Sequence, residues 1–266
     1  MRSRILEMLE RIERRRHVKI LYACESGSRA WGFDSRDSDY DVRYIYAHPV
    51  NRYLSVDSIR DVIEGPVDDE LDFSGWDLRK ALMLMRKSNP PLLEWLQSPI
   101  VYRQTPRPVA MLRELMPKCY SPIACHYHYL HMAQGNYREY LRADLVPLKK
   151  YLYVLRPVLA CLWIEKGFGV VPILFSTLVE RLVTDTTLKA CIQRLLERKK
   201  AGDELDLGPR IPAISDFLDD QIGRLSEKAE LPPVRVAGPA VDRLFQQILI
   251  QLYGTTIQPV ADGDVV

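Results

Sequence analysis

A chain of 266 residues with 47% hydrophobic and 27% charged content is long enough to bury a substantial core as one large or two small domains, and it excludes general disorder. Thirty-seven basic against thirty-five acidic residues leave a formal charge of +2, so overall charge neither marks nor excludes a nucleic-acid binder. Five cysteines, odd in number and with no CxxC pair, argue for a reducing compartment rather than a disulfide framework.

The N-terminal stretch MRSRILEMLERIERRRHV is basic and lacks the apolar run of a signal peptide. No segment reaches the roughly 18 apolar residues that a membrane span needs. A soluble, cytoplasmic protein with no membrane partner is the expectation.

Ile5, Leu6, Leu9 and Ile12 recur at helical spacing and predict a helix over 3–15. VKILYAC (18–24) reads as a strand feeding the Glu25-Ser26-Gly27 turn, and residues 28–32 open a short helix. SRDSD (35–39) is turn-like, and YDVRYIY (40–46) is a second strand. Weak strand signals follow over 54–63, and DELDF (69–73) reads as a short strand ending at Ser74-Gly75. From Trp76 the pattern becomes helical until Asn89-Pro90-Pro91 stops it; PLLEWLQ then starts another helix on proline.

Beyond residue 105 every strong pattern is helical. The predicted helices are 106–116, 122–134, 136–166, 173–183, 186–199, 215–229 and 238–252, with Pro147 and Pro157 dividing or kinking the third. Residues 201–212 read as a surface loop. The resulting division is 1–104, an α/β catalytic domain; 105–258, a helical domain that binds substrate and nucleotide; and 259–266, a flexible tail.

The chemistry concentrates in CESGSRAWGFDSRDSDYDVRYIY, residues 24–46. Asp39 and Asp41 stand two apart on a predicted strand, so their side chains leave the same face. Adjacent carboxylates raise each other's pKa unless a cation lies between them. Oxygen-only ligands with open positions favour Mg²⁺ or Mn²⁺ over zinc. Gly27-Ser28 lies at a predicted strand end, where following amides and the serine hydroxyl suit a phosphate. Arg29 and Arg43 flank this equipment. A solvated acidic strand end is the alternative on the residues alone.

The segment GSRAWGFDSRDSDYDVR strongly resembles the nucleotidyltransferase core of the DNA polymerase beta superfamily, in which a GS turn precedes a strand with two metal-binding aspartates. DLRKALMLMRKSNPPLLEWLQSPIVY (77–102) and LKKYLYVLRPVLACLWI (148–164) narrow the resemblance to RNA repair pathway DNA polymerase beta family nucleotidyltransferases. The resemblance implies an α+β fold: a mixed-sheet nucleotidyltransferase domain followed by a C-terminal α-helical domain. It also implies transfer of a nucleoside monophosphate from an NTP such as ATP to a hydroxyl acceptor, an RNA end in the family context, with Mg²⁺ or Mn²⁺. A third carboxylate is implied on a later strand. Asp72 is the choice and Glu70 the alternate, with Asp68 and Asp69 assigned to a loop.

In LKKYLYVLRP, Lys149, Tyr153 and Arg156 fall at i, i+4 and i+7 on one helix face, facing either nucleotide or solvent. Arg79 and Lys80 read equally as a phosphate clamp or as helix-face ion pairs. Trp31 and Phe33 read as core packing ahead of base stacking. Cys119, Cys125, His126, His128 and His131 match no standard zinc spacing. A catalytically silent nucleotide- or RNA-binding module, and transfer to a protein or small molecule, stay open beside the RNA reading. The oligomeric state has no mark in the sequence.

Overall fold

A computed structural model describes residues 1–65, 70–202, 207–227, 231 and 238–255. The chain begins with α1 (Arg2–Arg16), β1 (Lys19–Glu25), α2 (Gly27–Trp31), β2 (Tyr40–Ala47), α3 (Val50–Tyr53), β3 (Val62–Glu64) and β4 (Leu71–Asp77). It continues through α4 (Leu78–Arg86), α5 (Pro90–Trp95), β5 (Val101–Gln104), α6 (Pro106–Cys119), α7 (Pro122–Tyr140) and β6 (Leu145–Pro147). The last elements are α8 (Lys150–Glu165), α9 (Phe175–Leu182), α10 (Thr186–Ala201), β7 (Leu207–Pro209), α11 (Pro212–Leu225) and α12 (Gly238–Tyr253). This is the expected α+β class, a mixed-sheet domain followed by a largely helical region.

Five strands form one sheet in the order β3-β4-β2-β1-β5. β2 runs parallel to β4, and the other neighbours are antiparallel. Alternation along each strand divides the side chains between two faces. Val42, Tyr44 and Tyr46 meet Ile5, Leu9 and Ile12 of α1 on one face. Ile45 and Ala47 meet Leu82 and Met85 of α4, Trp95 of α5 and Leu112 of α6 on the other. Asp41 and Arg43 belong by the same alternation to this second face, at the open end of β2.

Helix α12 returns from the C-terminal end of the chain to the same layer, burying Val241, Leu244, Ile248 and Leu249 against it. A separate core is built from α7 to α11 around the fully buried Tyr151, Leu155 and Leu159 of α8. Phe33, which follows α2, and Leu93 of α5 insert into that helical core. The sheet layer and the helical layer are therefore tied together next to the glycine turn.

Several predicted boundaries shift for identifiable reasons. β4 runs through Ser74-Gly75 to Asp77, because Gly75 lies against the Tyr44 ring, where a Cβ would stand 2.0 Å from Cε2. The helix therefore starts at Leu78, with the Asp77 carboxylate accepting the Arg79 amide at 2.7 Å. The weak strand signals over 54–63 yield only β3, and α3 precedes them. β5 was not read from the sequence; it closes the sheet beside β1. The predicted helix 122–134 runs on through the start of the predicted 136–166 to Tyr140 as one helix, α7; the rest of 136–166 is divided by β6, which ends at Pro147, from α8, and β6 pairs with β7 of the predicted loop 201–212. Asp68, Asp69 and the tail 259–266 lie outside the described residues.

Candidate active site

β1 ends in a turn that opens directly into α2, and the turn is possible because its first helical residue is glycine. Gly27 has φ +57°, and a Cβ added to it would lie 2.0 Å from Asp41 Oδ2. No other residue fits this approach without displacing the carboxylate. The Ser26 amide donates to the Asp41 carbonyl at 2.9 Å, fixing turn and strand together. Ser28 is only 7% exposed, and its carbonyl accepts the Phe33 amide at 3.1 Å.

Parallel pairing of β2 with β4 sets Asp41 opposite Asp72. Both carboxylates accept from one nitrogen of Arg43: Asp41 Oδ1 at 2.9 Å and Asp72 Oδ2 at 2.7 Å from Nη2. Arg43 Nη1 also donates to the Asp72 carbonyl at 3.1 Å. Burial holds the Asp41 carboxyl above the usual carboxylate range; the nearby Asp72 and Asp39 charges add to this and Arg43 opposes it. Asp39 is exposed in the last turn residue before β2, close enough for its charge to reach Asp41.

Of the two residues considered for the third carboxylate, the structure brings Asp72 to Asp41. Glu70 instead lies 3.7 Å from Arg4 of α1, and its carbonyl accepts the Tyr40 amide. Glu25 is the group that the sequence reading passed over. It is fully buried, its Oε1 accepts the Asp41 amide at 2.7 Å, and its Oε2 accepts the Tyr102 hydroxyl. Burial raises its pKa first and most, against the lowering by those hydrogen bonds. A glutamate ending an otherwise apolar strand was the available signal.

Arg29 turns to the 34–39 loop. Its guanidinium donates to the carbonyls of Ser38 and Asp39, pairs with Asp34 at 3.4 Å and stacks on Tyr40 at 3.8 Å. It therefore fixes the loop that carries Asp39. Tyr153 of α8 is half-buried between the rings of Trp31 and Phe33, in the field of Asp41 and Asp39. Lys149, directly before α8, is exposed.

Arg156 is 1% exposed and donates to Glu94 Oε1 at 2.9 Å, beneath the Trp31 ring. Glu94 also accepts from Trp31 Nε1 and the Tyr129 hydroxyl. This buried hub joins α2, α5, α7 and α8. Phe33 is buried in the helical core and Trp31 packs, partly buried, against it. Lys80 pairs with Asp61 at 2.9 Å, and Arg79 donates to the Tyr53 carbonyl, so neither is gathered with the aspartates.

Among the described residues, no group of three or more His, Cys, Asp or Glu side chains stands arranged around a metal position. The Cys/His segment includes a buried Cys119, a buried Cys125 and a buried His126 set 3.6 Å from Glu165. The aspartates nonetheless suit a hard cation by their chemistry. Asp41 and Asp72 already converge on one positive centre, the Arg43 nitrogen, and the Asp41 carboxylate takes the place that a Gly27 Cβ would fill. Among the described residues, no helix is long and apolar enough to cross a membrane.

Comparison with known proteins adds family to geometry. The model of the RNA repair pathway DNA polymerase beta family matches residues 1–247. A Bacillus subtilis (strain 168) protein described as uncharacterized protein YcgL is 52% identical over 230 residues, 86% of this chain and 88% of that one. A crystal structure of a nucleotidyltransferase-like protein from Exiguobacterium sibiricum 255-15 covers 92% of this chain and 89% of its own. At 10% identity and a TM-score of 0.31 it carries no weight here.

Proposed function

The chain belongs to the RNA repair pathway DNA polymerase beta family, and on that premise we propose that it is a metal-dependent nucleotidyltransferase that adds a nucleoside monophosphate from an NTP to a hydroxyl at an RNA end. One observation carries this reading: Asp41 and Asp72, set opposite each other by the β2–β4 register, share a single cationic partner directly against the glycine turn.

Asp39, Asp41 and Asp72 would hold Mg²⁺ or Mn²⁺. Such an ion supplies charge neutralisation at the transferring phosphoryl group and acidifies the attacking hydroxyl. The Gly27-Ser28 turn would receive the phosphates, and its absent Cβ lets the Asp41 carboxylate lie directly against it. Asp72, whose side chain is 42% exposed, is the carboxylate placed to accept the proton of the attacking hydroxyl. That oxygen bonds to the α-phosphorus as the bond to the β-phosphate oxygen breaks and pyrophosphate leaves. Glu25 holds the Asp41 backbone, and Arg29 holds the loop of Asp39. Lys149 and Tyr153 present themselves from the helical side, while Arg156 acts through Glu94 as a positioning residue.

Arg43 has a second consequence. Its Nη2 stands where the two carboxylates converge, so a silent nucleotide-binding module would use the same contacts to neutralise them permanently. Catalysis requires Arg43 to yield one or both carboxylates and turn toward a phosphate. We also propose that 1–104 forms the catalytic domain and 105–258 the helical nucleotide-binding domain, with α12 packed back upon the former.

Incubation with each of ATP, CTP, GTP and UTP, Mg²⁺ and a pool of short RNAs tests the proposal. Extension of RNA by the wild type, lost in an Asp39→Ala/Asp41→Ala variant, supports it and names the base. Nucleotide binding without transfer to RNA moves the reading to another acceptor or to the silent module.

A further inference from the structure

The first nineteen residues hold six arginines and one lysine against three glutamates, a local excess of four positive charges in a chain whose formal charge is +2. The rest of the chain is therefore net acidic. α1 turns Ile5, Leu9 and Ile12 into the sheet, and helical periodicity leaves Arg4, Arg11, Arg14 and Arg15 exposed on the opposite side. Glu13 is turned away from them: it pairs with Arg103 at 2.7 Å and accepts the Ile20 amide. Among the described residues, Arg11, Arg14 and Arg15 meet no carboxylate, and Arg11 reaches only the Met8 sulfur.

This helix begins beside the aspartates. Arg2 donates to the Val101 carbonyl at 2.8 Å and lies over the ring of Tyr102, whose hydroxyl donates to Glu25, the holder of the Asp41 amide. Arg4 stands 3.7 Å from Glu70, two residues before Asp72. From there Arg4, Arg11 and Arg15 recur at i, i+7 and i+11, a stripe about 17 Å long at the rise of an α-helix. That is the axial length of roughly five nucleotides of a duplex strand. The helix dipole accounts for cations in the last turn, but Arg4 and Arg11 lie outside its reach. A basic face without counter-ions, on a chain otherwise net acidic, suits a polyanion.

We propose that the outer face of α1 is the track that holds the body of the acceptor RNA, with backbone phosphates on Arg11, Arg14 and Arg15 and the reacting end at Asp41 and Asp72. The proposal rests on the RNA nucleotidyltransferase reading for the identity of the polyanion, and adds where the RNA beyond its reacting end is held. Guanidinium–phosphate contacts carry no sequence information, so the track binds RNA of any sequence and is weakened by salt. It discriminates by length: an acceptor too short to leave the site gains nothing from it.

Equilibrium binding of an RNA of about 12 nucleotides and of a trinucleotide to the full chain, read over a range of salt, tests this. Wild type is compared with Arg11→Gln/Arg14→Gln/Arg15→Gln, with lysine at the same three positions, and with Lys189→Gln/Arg194→Gln, which removes exposed charges from α10. Glutamine keeps the helix propensity of arginine. The glutamine triple should weaken the longer RNA about tenfold or more at ~0.1 M salt and flatten its salt slope by about 2. The trinucleotide should change by no more than about twofold. Lysine should keep most of the affinity, since a point charge suffices for a phosphate, and the α10 pair should leave both RNAs unchanged. Unaltered affinity and slope for the longer RNA in the glutamine triple overturn the proposal. So does an equal loss in the α10 pair, an equal loss for the trinucleotide, or an α1 that governs adhesion to phosphatidylserine vesicles and not to RNA. Transfer is read separately: RNA binding that depends on α1 without pyrophosphate release from any NTP sinks the functional reading alone. Transfer to the longer RNA with KM unchanged in the glutamine triple sinks the track alone.

Discussion

Single residues carry most of the chemistry, and Gly27 is the most constrained of them. A Gly27→Ala change forces a φ of +57° on a β-carbon and drives that carbon into Asp41 Oδ2. The strain and clash should cost about 1–3 kcal/mol of stability, read by denaturant unfolding. Activity should fall further than folding, because the displaced group is Asp41. Lys199 makes a second prediction, in pH. Its folded pKa is lowered to about 8, so between that value and its ordinary value the unfolded chain binds more protons and stability rises with pH. Lys199→Met should therefore melt higher than wild type at neutral pH, with the gap closing as pH climbs above 8. Allowing for solvent near the ammonium, the gap is on the order of 1 kcal/mol, or roughly 2–4 °C. Asp41 and the glycine turn were legible in the sequence as a strand start and a strand end, whereas Asp39 lies just before β2 and it is Asp72, through the β2–β4 register, that meets Asp41. Glu25 and Lys199 were not, since nothing in their local sequence tells a buried acid or ammonium from a solvated one.

At the scale of elements, the strands and helices near the site were readable and their partners were not. β1, α2 and β2 lie within about two residues of their expected limits, the usual accuracy of pattern reading. β6 and β7 escaped because three-residue strands carry no period, and β5 because four residues between two helices give little more. α12 shows the larger difficulty. Its amphipathic pattern predicted a helix, but nothing local revealed that it packs on α4 and α6 rather than on its neighbours in sequence. Ile248 is fully buried there. Ile248→Ala should cost about 2–5 kcal/mol. Hydrogen exchange would show the loosening in α4 and α6, whereas α8 should keep its protection.

For the whole molecule, the decisive feature is the hub at Glu94, which joins the sheet layer to the helical layer through Trp31, Tyr129 and Arg156. Glu94→Ala would leave the Arg156 charge buried without its carboxylate, and should cost about 3–5 kcal/mol. A Glu94→Gln/Arg156→Met double variant should recover much of that loss, which a double-mutant cycle by denaturant melts would record. The placement of Tyr153 in the field of Asp41 and Asp39 depends on this joint, because α8 carries the tyrosine while β2 carries Asp41. The sequence disclosed Arg156 as a helix-face cation yet not its direction; tertiary packing turned it inward, where a carboxylate from α5 meets it.

Pyrophosphate release in the presence of Mg²⁺, NTP and short RNA, measured in parallel for wild type, Asp41→Asn, Asp72→Asn and Glu70→Gln, tests the central claim most directly. Release by wild type and Glu70→Gln, with a loss of about a hundredfold or more in the two aspartate variants, is the expected result. Release that persists unchanged in Asp41→Asn, or a wild type that binds nucleotide and releases nothing, would contradict a catalytic site at the Asp41–Asp72 pair.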